Sequence, residues 1–141
     1  MTSIAHLFES GEQARQKGHF RNLVLLARVD GVVSPLENQL LQRVARRLSL
    51  TDEQVADICA NPTEYPAFPP VNREERYERF IQLIQLLVVD GISDKKEEAM
   101  VRSLGVELGF SVEKIEEKFP IILEHLRKGM TREEVLLAVM S

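Results

Sequence analysis

Cysteine is nearly absent from this chain: Cys59 is the only one in 141 residues. A lone thiol can form neither an intramolecular disulfide nor a cysteine zinc cluster, and it reads as a small buried residue in a reducing compartment. Histidine is almost as sparse, with His6, His19 and His125 scattered along the chain, and no glycine-rich phosphate loop is present. Nothing in the sequence assembles a catalytic constellation, so an enzyme is the less favoured class. His19 and His125 read as surface residues. Positive charge is not in excess: 18 lysines and arginines face 22 acidic residues, a net charge of −4. That balance argues against nucleic acid and anionic membranes as partners. No apolar run reaches membrane-spanning length, since even "FIQLIQLLVV" is interrupted by glutamines. The opening "MTSIAHLFESGEQARQ" lacks the basic flank and apolar stretch of a signal peptide. The cytoplasm is the expected compartment.

The residues that are present have the balance of an ordinary globular chain, 44% apolar and 28% charged. A chain of this length fits one domain, 1–141, and can bury roughly two-thirds of its unfolded surface without a disulfide or metal. Within it a pattern recurs. "FRNLVLLARVDGVVSPLENQLLQRVARRLSLTDEQV" and "FIQLIQLLVVDGISDKKEEAMVRSLGVELGFSVEKI" align without a gap, the second starting sixty residues after the first. Phe20, Leu23, Leu26, Val29, Asp30, Gly31, Glu37, Leu48 and Glu53 return as Phe80, Leu83, Leu86, Val89, Asp90, Gly91, Glu97, Leu108 and Glu113.

The apolar positions are three or four apart, which is helical spacing. The pattern predicts helices over 20–29 and 80–89, the second apolar nearly all round and therefore central. A further helix follows each Asp-Gly pair, and shorter ones start at the N-caps Thr51 and Ser111. Residues 3–16 fit a separate leading helix. Thr131 with Glu134 forms a capping box that opens a last helix over 131–140. Pro120 is expected to break or restart the helix that contains it. The four prolines of "NPTEYPAFPPVN" (61–72) forbid a regular element and predict a stiff connector. Within it, Tyr65 and Phe68 are expected to pack onto the core, with a partner contact as the alternative. No strand pattern is present. The fold class is all-α, a compact domain of two pseudo-symmetric helix-turn-helix repeats at about 20–58 and 80–118.

The Asp-Gly turns carry the candidate site. Glycine just past a helix end takes the left-handed conformation at little cost, so Gly31 and Gly91 are explained as turns. Ser34-Pro35-Leu36-Glu37 is a helix start with its own capping logic, and Asp94-Lys95-Lys96-Glu97 repeats it. The aspartates fit less well. Asp30 and Asp90 follow helices, where a carboxylate meets the negative end of the helix dipole, although Asp also favours turns in its own right. Numbered as a calcium loop, Asp30, Gly31, Val32, Ser34 and Glu37 occupy positions five, six, seven, nine and twelve, and the second copy does the same. Positions one and three are not carboxylates, so neither turn can encircle a cation alone. Two half-loops face to face supply enough oxygens for calcium or magnesium.

Those paired turns, "VDGVVSPLE" and "VDGISDKKEE", each after an apolar helix, resemble the TerB family of tellurite-resistance proteins over about residues 20–118. The resemblance implies an all-helical domain of two related halves, with acidic residues of both turns binding a divalent metal. Asp30, Glu37, Asp90 and Glu97 match the family's positions one by one, and Asp94 matches the acidic position after the second Asp-Gly. Pro35, Leu36, Lys95 and Lys96 depart from it, and the two lysines lower the local negative potential. The expected function is a non-enzymatic module that binds calcium or magnesium through Asp30, Glu37, Asp90, Asp94 and Glu97. It would serve protein interaction or stress response with a protein partner. A metal-free helical adaptor is the alternative. "LLQRVARRLSLTDEQVADI" imitates a DNA-binding helix-turn-helix, but Arg43, Arg46 and Arg47 on an acidic chain read as a solvated helix face.

Overall fold

Hydroxyl side chains mark where four helices of this chain begin. Ser34, Thr51 and Ser111 each accept a hydrogen bond from the backbone N–H three residues on, and Thr131 does the same for Glu134. The computed structural model describes residues 11–29, 31–70, 72–89 and 95–140. Its helices are α1 (Gly11–Ala27), α2 (Pro35–Arg47), α3 (Asp52–Ala60), α4 (Arg73–Val88), α5 (Lys95–Glu107), α6 (Val112–Arg127) and α7 (Arg132–Met140), with a short 3-10 turn at Pro62–Glu64. No strand occurs among the described residues, and no helix there is long and apolar enough to cross a membrane. The all-α class is correct.

α4 lies at the centre because its sequence leaves it no alternative. After a polar first turn, Phe80, Ile81, Leu83, Ile84, Leu86 and Leu87 cover its circumference and all are buried. It packs against α1, α2, α5, α6 and α7. α1 is the second core helix, burying Phe20, Leu23, Val24, Leu26 and Ala27 against α2, α3, α4 and α5. Aromatic rings close the far side. Phe80 lies 5.1 Å from Phe110 and 6.4 Å from Phe119, centroid to centroid, and Tyr77 meets Phe110 edge-on at 5.0 Å. α2 and α5 end alike: Ser49 and Gly109 both have positive φ, 60° and 108°. The next amide then reaches back, Leu50 to the carbonyl of Ala45 and Phe110 to that of Gly105.

Several expectations need correction here. The leading helix is not separate from the core helix, because α1 runs without a break from Gly11 to Ala27; residues 3–10 lie outside the described residues. Pro120 does not interrupt α6, which continues from Val112 to Arg127 with the proline inside it. Burial of Phe119 and Ile122 on either side holds the helix together across the missing amide. The connector holds one short regular element, the 3-10 turn, which proline at its first position permits. Of its two aromatics only Tyr65 is buried, with its hydroxyl on Asp57, while Phe68 is exposed. Cys59 is half-buried rather than enclosed.

The connector also explains a glycine within α1. A Cβ on Gly18 would stand 2.5 Å from the Pro66 carbonyl oxygen and 3.0 Å from the Ala67 Cα, both backbone atoms. Gly18→Ala is therefore expected to destabilise the protein by about 1–3 kcal/mol, even though alanine is the better helix former by about 1 kcal/mol. Gly11→Ala, whose Cβ would meet only the Arg15 side chain at 3.4 Å, should be neutral or slightly stabilising. Urea unfolding of the two variants checks the contrast; equal midpoints would show that the connector yields freely.

Candidate functional site

The first Asp-Gly turn is built by the ends of α1 and α2. Gly31 has φ 88°, the left-handed value expected of it, and its N–H donates to the Arg28 carbonyl at 2.9 Å. Three residues later Ser34 caps α2, and Glu37 closes a reciprocal box. The Ser34 N–H donates to Glu37 Oε1 at 2.9 Å, and the Glu37 N–H donates to Ser34 Oγ at 3.1 Å. Glu37 is 5% exposed and Glu97, its counterpart on the first turn of α5, is 6% exposed. Carboxylates are seldom that deeply buried unless partnered. Both sit at the positive end of a helix, where negative charge is favoured. Lys95 and Lys96 are exposed beside Glu97.

Asp30, Asp90 and Asp94 lie outside the described residues, as do Gly91 and Ile92. Two of the five candidate ligands are thus placed. Among the described residues no three His, Cys, Asp or Glu side chains come together as a metal-holding group. The donor chemistry of Glu37 and Glu97 suits a hard cation, and one oxygen of Glu37 is already occupied by its cap.

A second polar region went unread in the sequence. His19, read as a surface residue, is 2% exposed on α1. Its Nε2 donates to Gln82 Oε1 on α4 at 2.6 Å, which leaves Nδ1 as a buried acceptor without a partner. Burial, then the nearby Arg79 charge, pulls its pKa from 6.5 down to about 3 against the Gln82 bond, so the ring is neutral. Arg79 is itself buried and donates to Glu75 at 2.7 Å. Further along α4, Glu78 accepts from the buried Arg132 of α7. A signal did exist. His19 and Arg79, and likewise Asn22 and Gln82, are pairs sixty residues apart inside apolar helices, and all four are buried.

Arg43, Arg46 and Arg47 are exposed, as a solvated helix face requires, although Arg47 also pairs with Glu133 at 3.2 Å. His125 is partly buried with an unpartnered Nδ1. No family model matches this chain, nor does any curated protein or solved structure.

Proposed function

We propose that this chain is a non-enzymatic TerB-like helical module that binds calcium or magnesium through its two Asp-Gly turns and serves protein interaction or stress response. The observation that carries this reading is the burial of Glu37 and Glu97, two carboxylates sixty residues apart on the first turns of corresponding helices. Helix capping explains why a glutamate stands there; it does not explain why both are shielded from water. The same offset relates the helix ends at Ser49 and Gly109, the N-caps Thr51 and Ser111, and the core residues Phe20 and Phe80. The packing is reciprocal as well: α1 touches α5, and α4 touches α2. These correspondences support two pseudo-symmetric halves. Such an arrangement would let Asp30 and Glu37 join Asp90, Asp94 and Glu97 around one cation, or two adjacent ones. A bound divalent cation would neutralise carboxylates that otherwise repel one another, so it would set the stability of the turns.

The Ser34–Glu37 box favours a second reading, a metal-free adaptor in which the glutamates are caps only. Calcium separates the two. At a concentration a hundredfold above its dissociation constant it should add about 2.7 kcal/mol, roughly 5–10 °C in melting temperature. Asp30→Asn with Asp90→Asn should abolish that rise while leaving stability in EDTA unchanged or slightly higher. A wild-type melting curve indifferent to calcium and magnesium, with the double variant less stable in EDTA, would establish the adaptor.

A further inference from the structure

Three to ten residues along α2 from Glu37, a polar cleft of about 310 Å³ opens between α2, α4 and the first turn of α7. Arg43 and Arg47, one turn apart, line it from α2; Gln82 and Gln85 line it from α4; Thr131 and Arg132 close it from α7. A second cleft of about 250 Å³ shares Arg47 and Gln82 with the first and reaches His19 and Arg79. Four arginines thus line two adjoining clefts, together with Glu75, Glu78 and Glu133, on a chain whose net charge is −4.

Stability does not account for this arrangement. Arg79 and Arg132 are buried, and buried ion pairs rarely improve on apolar packing of the same volume. Arg43 has no ion pair among the described residues. The buried His19 Nδ1, on the wall of the adjoining cleft, is an acceptor left without a donor. One internal group already shows what the cleft receives. Glu133 Oε1 accepts from Arg47 at 3.2 Å and from Arg132 at 3.1 Å, and its carboxylate also takes its own backbone N–H. The Glu133 side chain is mostly exposed, so it can leave without disturbing the core.

We infer that this cleft is an oxyanion site for a small carboxylate- or phosphate-bearing ligand, and that Glu133 is the internal carboxylate such a ligand displaces. Arg43 and Arg47 offer the forked donors that match either oxyanion, and Arg132 holds the inner end. Gln85 and Thr131 offer neutral hydrogen bonds to the remainder of the ligand. The site is independent of the Asp-Gly turns and of any cation there.

The test uses the full chain in EDTA at constant ionic strength, titrated with inorganic phosphate and, separately, with succinate. Amide shifts of residues 131–134 and the melting temperature are followed. At least one of the two anions should bind saturably, and which one does identifies the headgroup. Glu133→Gln should tighten that binding roughly three- to tenfold by removing the competing charge. Arg43→Ala with Arg47→Ala, both exposed positions, should abolish it while the protein still unfolds cooperatively. No saturable binding to wild type or Glu133→Gln overturns the assignment. So does binding that survives the double arginine change, or that appears only when calcium replaces EDTA.

Discussion

Phe80→Ala is expected to remove about 3–5 kcal/mol of stability, a large part of the 5–15 kcal/mol typical of a domain. Phe80 is 0% exposed, and its ring lies between those of Phe110 and Phe119 and against Gly105. Truncation therefore opens a cavity walled by α5, α6 and the segment joining them, which cannot all move inward together. The loss has two parts: the transfer energy of the ring and the contacts its neighbours forfeit. Phe68→Ala is the internal control, since Phe68 is 44% exposed and should change stability by less than about 0.5 kcal/mol. Guanidinium unfolding of both variants decides the matter. A Phe80→Ala loss below about 1 kcal/mol would mean that the aromatic cluster is loosely packed.

Acid should unfold this protein earlier than its carboxylates alone require. His19 is held neutral in the fold down to about pH 3, by burial first and Arg79 second, whereas in the unfolded chain it takes up a proton near pH 6.5. Between those values the unfolded state binds the additional proton, so stability falls as pH falls through the window and is untouched above it. The expected slope is about 1.4 kcal/mol per pH unit, giving a loss of roughly 3 kcal/mol between pH 6.5 and 4. His19→Gln removes the titration but keeps a side chain able to donate to Gln82. It will cost stability at pH 7, and its deficit relative to wild type should shrink or reverse by pH 4. Parallel stability curves for the two proteins would mean that the native state protonates His19 as readily as the unfolded chain.

Features fixed within a single turn of helix were legible in the sequence. Ser34, Thr51, Ser111 and Thr131 cap helices because a hydroxyl and an amide three residues apart need no distant partner. The all-round apolar character of 80–87 likewise determined its place at the centre. What failed depended on residues far away. His19 looked like a surface residue because its partner Gln82 lies sixty-three positions on. Gly18 drew no notice in the sequence because its reason, the backbone of Pro66 and Ala67, belongs to another segment. Pro120 was read by its local cost alone, and tertiary burial of Phe119 and Ile122 outweighed that cost. At the candidate site the sequence marked Glu37 and Glu97 as ligands; both are buried, and Asp30, Asp90 and Asp94 lie outside the described residues. The arginine cleft was invisible for another reason. Arg43, Arg79 and Arg132 come from three helices and form no motif in the chain.

The connector has an effect that its contacts with Gly18 do not contain. Pro62, Pro66, Pro69 and Pro70 each hold one backbone torsion nearly fixed even when the chain is unfolded. The unfolded ensemble therefore has fewer ways to arrange the stretch between α3 and α4 than a flexible segment of equal length would allow. Less disorder is surrendered when α4 is brought against α1, a saving on the order of 0.4–1 kcal/mol for each proline that suits its native conformation. Part of the stability of the helical core is thus conferred outside it, by restricting the state the protein leaves when it folds.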